Sequence, residues 1–74
     1  MTVYLTFIND HHTDTDAEVF TTAEAAIEGA RRMAREACRH PEDYEESAIQ
    51  GWLFHATYSA NGDSVWVIAK EVQE

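Results

Sequence analysis

The sequence predicts an α+β fold in which one helix packs on an antiparallel sheet of three or four strands. Apolar residues repeat at helical spacing over residues 22–39. Asn61-Gly62 is a strong hairpin signal, because both central positions of a type I′ turn need a positive φ. Three further segments are rich in β-branched and aromatic residues that alternate as in strands, namely 2–8, 48–58 and 64–72. The expected order is therefore β-α-β-β.

The first strand, over residues 2–8, is apolar on both of its faces, which favours a central position in the sheet. Residues 9–16, NDHHTDTD, are polar and rich in turn formers, so we expect a loop there. Residues 17–20, AEVF, form a short apolar stretch before the helix. An extra short strand at that place is left open.

The helix has clear start and stop signals. Thr21 and Glu24 match the capping box T-x-x-E, and Pro41 disfavours helical angles at His40, so we expect a helix from Thr22 to Arg39. Its apolar stripe is mostly alanine, which lets the helix lie close to the sheet. The stripe consists of Ala23, Ala26, Ile27, Ala30, Met33, Ala34 and Ala37.

The hairpin predicts which side chains face the helix. A two-residue turn at Asn61-Gly62 would pair Ala56 with Val67. Residues 41–47 before it are expected to form an acidic loop. The side facing the helix would carry Trp52, Phe54, Ala56, Tyr58, Val65, Val67 and Ala69. The other side would carry Leu53, His55, Thr57, Trp66, Ile68 and Lys70.

Length and composition limit the class of protein. A chain of 74 residues predicts a single domain, over residues 1–74, with one thin core. No apolar run is long enough to span a membrane, and no secretory signal is recognised. The single cysteine, Cys38, fits a reducing cytoplasm. A net charge of −9 argues against direct binding to nucleic acid or to an anionic membrane, and it favours a basic partner.

The charge is strongly segregated along the chain. Four arginines and three glutamates give residues 22–39 a net charge of +1, so the remaining residues carry −10. Two acidic clusters stand out. The first cluster is Asp10, Asp14, Asp16 and Glu18, and the second cluster is Glu42, Asp43, Glu45 and Glu46.

The residue types of a metal site or a catalytic site are present, but their patterns are not. Residues 10–16 combine aspartate and histidine, yet an EF-hand loop beginning at Asp10 or Asp14 would lack its glycine and its final glutamate. Cys38 follows the edge of the alanine stripe, so we expect a half-buried packing residue and not a nucleophile. We therefore expect a protein that is not an enzyme and that needs no cofactor or metal.

The acidic clusters favour a protein that imitates nucleic acid. If extended, Asp14, Asp16 and Glu18 would point to one side with a repeat of about 6.6 Å. A DNA duplex also presents a regular series of negative charges. Fixed carboxylates could therefore occupy a basic groove that otherwise binds DNA, and both clusters are predicted to bind the partner.

The whole chain resembles the small acidic anti-CRISPR proteins that phages encode. The resemblance rests on the opening strand MTVYLTFIND, the helix TTAEAAIEGARRMAREACRH and the hairpin GWLFHATYSANGDSVWVIAKEV, without a diagnostic motif. It is strongest for inhibitors of type I systems, with type I-C as one candidate. The resemblance implies a protein that binds the Cascade surveillance complex at the basic surface that admits target DNA near the PAM, and that blocks DNA without chemistry. We expect it to act as a monomer in the cytoplasm of a host bacterium.

A second hypothesis uses the sheet instead of the acids. An apolar surface on the sheet could bind a protein partner, since aromatic anchors contribute most binding energy at interfaces. This surface would consist of Trp66, Ile68, Leu53 and Tyr4. An antitoxin or a phage accessory protein would fit this description. Salt-sensitive competition with DNA would favour the DNA mimic, and a salt-insensitive interface would favour the apolar surface.

Overall fold

One helix lies on one side of a five-stranded antiparallel sheet in the computed structural model, which describes residues 1–10 and 16–73. The predicted α+β class is confirmed. The strands are β1 (Thr2–Asn9), β2 (Asp16–Phe20), β3 (Glu45–Glu46), β4 (Phe54–Thr57) and β5 (Ser64–Glu71), and the helix is α1 (Ala23–Ala37). Their order across the sheet is β2-β1-β5-β4-β3.

The predicted strand number and the order β-α-β-β are wrong. The short strand before the helix exists as β2, and a two-residue strand, β3, lies where the acidic loop was expected. β3 consists of two exposed glutamates, Glu45 and Glu46, at the edge of the sheet, so it lacks the alternation of apolar and polar residues that marks a strand in a sequence. Its pairing to β4 is therefore a result of the tertiary fold, which a local pattern does not predict.

The strand predicted over 48–58 begins only at Phe54. Before it, the amide of Trp52 donates to the carbonyl of Ile49 at 3.1 Å, and Gly51 has a φ of 91°. A turn at this place connects β3 back to β4. Trp52 consequently lies on the open side of the sheet, stacked on Trp66, and not under the helix as predicted.

The hairpin register differs from the prediction by two residues. Ala56 pairs with Val65, and not with Val67, because the loop has four residues instead of two. The amide of Tyr58 bonds to the carbonyl of Asp63, which closes the loop. A shift of two residues leaves the side chains of β4 and β5 on their predicted sides, because side chains in a strand alternate with a period of two.

The helix starts one residue later than its predicted capping box. The Thr22 hydroxyl, and not that of Thr21, accepts a hydrogen bond from the amide of Ala25 at 3.1 Å. Glu24 lies in the first turn, where its negative charge interacts favourably with the positive end of the helix dipole. The C-cap is Cys38, whose amide donates to the carbonyl of Ala34.

Small residues bring the helix close to the sheet. The fully buried residues Ala26, Ala30 and Ala34 pack on the buried valines of β5. The buried Thr6 hydroxyl on β1 donates to the carbonyl of Ala26 at 2.7 Å, which a bulkier helix face would not permit. The side of the sheet opposite the helix is called the open side below.

Replacing Thr6 with valine keeps the shape of its side chain but removes this buried hydrogen bond. We expect the free energy of unfolding in urea to fall by about 1 kcal/mol. The control is Thr57→Val on the open side of β4, which is expected to change stability by less than about 0.5 kcal/mol. Equal effects of the two substitutions would contradict the helix contact.

Replacing Gly62 with alanine tests the hairpin loop. Gly62 has a φ of 87°, and no described residue except glycine has a positive φ. We expect Gly62→Ala to lower the free energy of unfolding by about 1 kcal/mol, because alanine resists this conformation. Asn61→Ala is expected to have little effect. A larger loss of stability for Asn61→Ala than for Gly62→Ala would contradict the four-residue loop and favour the predicted type I′ turn.

Candidate acidic interface

The sheet topology brings acids from both clusters to the same end of the sheet. Ile8 at the end of β1 pairs with Asp16, and Asn9 pairs with Ser64 at the start of β5. On the other side of β5, Ser64 pairs with Thr57, which in turn pairs with Glu45. The end of the sheet defined by these pairs is called the acidic end. Its acids are Asp10, Asp16, Glu42, Asp43, Glu45 and Asp63.

The acidic end extends across the whole sheet. Asp16 lies on edge strand β2 and Glu45 on edge strand β3, so four strand spacings separate them. This corresponds to about 19 Å at about 4.8 Å per spacing. Both side chains are exposed, as is that of Glu42 in the short 3₁₀ turn Pro41–Asp43.

Three carboxylates line a pocket of about 220 Å³ at the acidic end. Asp10, Asp43 and Asp63 surround it together with Arg39 and His40. The pocket joins residues from the end of β1, from the hairpin loop and from the segment after the helix. It is therefore the place where Asp10 of the first cluster and Asp43 of the second cluster meet.

Hydrogen bonds fix the carboxylates of this pocket. The Tyr58 hydroxyl donates to Asp10 Oδ2 at 2.7 Å, and Ser59 Oγ donates to Asp63 Oδ2 at 2.9 Å. Burial raises the pKa of the Tyr58 phenol, and the bond to Asp10 raises it further. Tyr58 is therefore neutral at physiological pH and acts as a hydrogen-bond donor that orients Asp10.

Two of the predicted partner-binding acids form ion pairs with the helix. Glu18 on β2 accepts a hydrogen bond from Arg32 Nη2 at 3.0 Å. Glu46 on β3 accepts two from Arg31, from Nε at 3.1 Å and from Nη2 at 3.2 Å. Each arginine thus joins the helix to one edge of the sheet, and these two acids contribute less negative charge to the surface than the sequence suggests.

Glu46 belongs to a larger network. Tyr44 donates to Glu46 Oε2 at 2.6 Å, and Arg31 also bonds to Glu28 at 2.9 Å and lies over the ring of Phe54. The Arg31 fork, followed by the Tyr44 bond, lowers the pKa of Glu46. Burial and the bond to Glu46 raise the pKa of Tyr44 to about 12. The network attaches the short strand β3 to the body of the protein.

The residues with catalytic or metal-binding chemistry do not converge. The Cys38 thiol donates to the carbonyl of His40 at 3.1 Å on the helix side, whereas His55 bonds to Ser47 on the open side. Among residues 1–10 and 16–73, no group of three histidine, cysteine or acidic residues is placed to hold a metal ion. Most of the suggested metal segment, including His11, His12 and Asp14, lies outside the described residues.

The open side of the sheet carries the alternative site residues. Trp66 is stacked between Phe7 and Trp52, with ring centroids 5.4 Å apart in both pairs. Ile68 lies on the same side, and Leu53 is exposed beside it. Tyr4 packs against the helix core instead, so its predicted place on this surface is wrong. Phe7 was missed because the pairing of β1 with β5 is not visible in the sequence.

No protein-family model, curated protein or solved structure matches this chain at a significant level. Within the described part of the chain, no helix has the length and apolar character that crossing a bilayer requires. The acidic end and the open side are two surfaces whose geometry bears on function.

Lowering the pH tests the Glu46 network. Because the pKa of Glu46 is lowered on folding, its ion pair stabilises the fold above about pH 4.5 and loses this effect as the carboxylate is protonated at lower pH. We expect Glu46→Gln to lower the free energy of unfolding at pH 7 by at most about 1 kcal/mol, since the pair is partly exposed. The loss should shrink at about pH 3.

Glu45→Gln, on the same short strand, is the matched control for this experiment. We expect it to change stability little at either pH, since its side chain is exposed at the edge of the sheet. A loss for Glu46→Gln that stays constant between the two pH values would show that the ion pair does not cause it.

Proposed function

We propose that this protein is a non-catalytic inhibitor that binds the basic, DNA-binding surface of a bacterial protein complex and blocks access of DNA. The observation that carries this proposal is that Asp10 and Asp16 of the first cluster lie at the same end of the sheet as Glu42, Asp43 and Glu45 of the second. A chain with a net charge of −9 brings six carboxylates from four different segments to this end, and all of them except the buried Asp63 are at least partly exposed. The site of action would be the cytoplasm, where DNA and its binding proteins meet.

The acidic end has the negative charge and the rigid backbone that favour binding to a basic groove. The exposed Asp16 and Glu45 lie about 19 Å apart on the two edge strands of a hydrogen-bonded sheet, so little backbone entropy is lost on binding. Glu42 is exposed in the 3₁₀ turn Pro41–Asp43. Asp10 and Asp63 are held by hydrogen bonds at its centre. Such a surface attracts a positively charged groove over a distance and accelerates association.

The resemblance to anti-CRISPR proteins suggests a specific partner. On this proposal the acidic end binds Cascade of a type I system, with type I-C as the first to test, at the basic surface that admits target DNA near the PAM. Bound carboxylates would occupy the places of DNA phosphates. Inhibition would then require no cofactor, no nucleic acid bound by the inhibitor itself and no chemical step.

A second candidate function follows from the open side of the sheet. The stack of Phe7, Trp66 and Trp52 is an aromatic surface of the kind that anchors protein interfaces. An antitoxin-like or phage accessory module would bind its partner there. Its binding would resist salt and would not need the acidic end.

Charge reversal at the acidic end tests the first proposal. We expect Glu42→Lys with Glu45→Lys to abolish inhibition of target-duplex binding by purified type I-C Cascade in a mobility-shift assay. Like charges placed together across an interface cost several kcal/mol. Both side chains are exposed and neither contributes to the core, so the thermal melt should change little.

The matched control makes the same change in net charge at the opposite end of the sheet. Glu24→Lys with Glu71→Lys should still inhibit, because these residues lie in the first turn of the helix and at the end of β5. Equal loss in both variants, with the thermal melt of each close to that of the wild type, would mean that net charge alone matters. Inhibition that survives reversal at the acidic end but is lost in Trp66→Ala with Ile68→Ala would favour the second candidate.

A further inference from the structure

A groove on the helix side of the protein is distinct from the acidic end and from the open side. It lies between the C-terminal half of α1 and the segment that leads into β3, and its volume is about 440 Å³. The pocket at the acidic end has a volume of about 220 Å³. Sites for small molecules in proteins have volumes of roughly 300–1,000 Å³ and mostly apolar walls. The groove has both properties, and it is lined by Arg31, Arg35, Cys38, Pro41, Tyr44 and Glu46.

Core packing and hydrogen bonds hold the walls of this groove in place. Cys38 and Tyr44 are half-buried and pack on the hydrophobic core. The Tyr44 hydroxyl donates to Glu46 Oε2 at 2.6 Å. The Arg31 fork binds the same carboxylate, and its guanidinium carbon lies 5.2 Å from the centroid of the Phe54 ring. Because these side chains are fixed before a ligand arrives, binding costs little side-chain entropy.

The lining of the groove is positively charged in a strongly acidic chain. It contains two arginines and one glutamate, so it carries +1, whereas the chain carries −9. Arg31 is neutralised by Glu46 and by Glu28, which lies outside the lining. Arg35 is exposed and forms no ion pair or side-chain hydrogen bond with any residue in the ranges 1–10 and 16–73. Arg35 therefore supplies the uncompensated charge of the groove.

The neighbours of Arg35 on α1 favour an anion beside it. Residues three and four positions apart are neighbours on the surface of a helix, and those before Arg35 are Arg31 and Arg32. Like charges at this spacing repel, so an anion beside Arg35 relieves the repulsion. The helix ends at Cys38, where the negative end of its dipole disfavours an anion. The anionic group of a ligand is therefore expected beside Arg35, and its uncharged part beside Cys38 and Pro41.

We propose that this groove binds a small aromatic carboxylate. The carboxylate accepts hydrogen bonds from the Arg35 guanidinium, whose planar fork matches its two oxygens. The aromatic body lies on the apolar walls formed by Cys38, Pro41 and Tyr44, where it leaves water and gains from contact with the Tyr44 ring. The site is independent of the function proposed for the acidic end, since none of the acids at that end lines the groove.

A titration of the isotope-labelled protein with 2-naphthoate, followed by heteronuclear NMR, tests the proposal. We expect saturable shifts of the backbone amide signals of Arg35, Cys38 and Tyr44 at ligand concentrations below about 1 mM. Shifts that do not saturate, or shifts that centre on Trp52 and His55 on the open side of the sheet, would overturn the proposal.

The uncharged amide of the same acid, 2-naphthamide, is the matched probe. We expect it to bind at least about tenfold more weakly, because a hydrogen bond to a charged group contributes more than one between neutral groups. An amide that binds as tightly as the carboxylate would show that the groove takes an uncharged apolar group, such as a side chain of a protein partner, and would overturn the proposal.

Arg35→Gln tests the residue that holds the carboxylate. We expect this substitution to weaken the binding of 2-naphthoate about tenfold. The matched control is Arg32→Gln, which removes the same charge from the same helix, since Arg32 binds Glu18 and does not line the groove. Both arginines are exposed, so the thermal melts of the two variants should stay close to that of the wild type. Equal affinities of the two variants for 2-naphthoate would overturn the proposal.

Discussion

The close approach of the helix to the sheet is the constraint on which the rest of the structure depends. It requires small residues, and Ala26, Ala30 and Ala34 are fully buried at the contact. Gly29 extends the same surface, since a Cβ atom there would lie 2.6 Å from the ring of Phe20. Because the helix lies low, its arginines reach outward to both edges of the sheet, where they bind Glu18 and Glu46.

These arginine contacts explain how the charge of the protein is distributed. Glu18 and Glu46 beside the helix are paired, whereas the exposed Asp16, Glu42 and Glu45 leave negative charge at the end where β1, β4 and β5 meet their loops. The open side of the sheet, remote from the helix, is apolar instead. The fold thus separates two surfaces of different chemistry, an acidic end suited to a basic partner and an open side suited to an apolar one.

Local patterns predicted part of this structure. The helix and the sides of the hairpin followed from periodicity, and the side assignment survived a two-residue error in register because Phe54, Ala56 and Val67 keep their parity. The four-residue loop was missed, since Asn61-Gly62 also occurs in longer loops. The meeting of Asp10 and Asp43 could not be predicted, because it depends on pairing between strands distant in the sequence. The same holds for the ion pairs that engage Glu18 and Glu46.

We propose that charge at the acidic end, and not apolar contact, holds this protein on its partner. The most direct measurement is the dissociation constant of the wild-type protein and type I-C Cascade as a function of salt concentration. We predict that binding weakens at least about tenfold between about 50 mM and about 300 mM NaCl, because screened carboxylates lose their attraction to a basic groove. A dissociation constant that stays the same over this range would contradict the account.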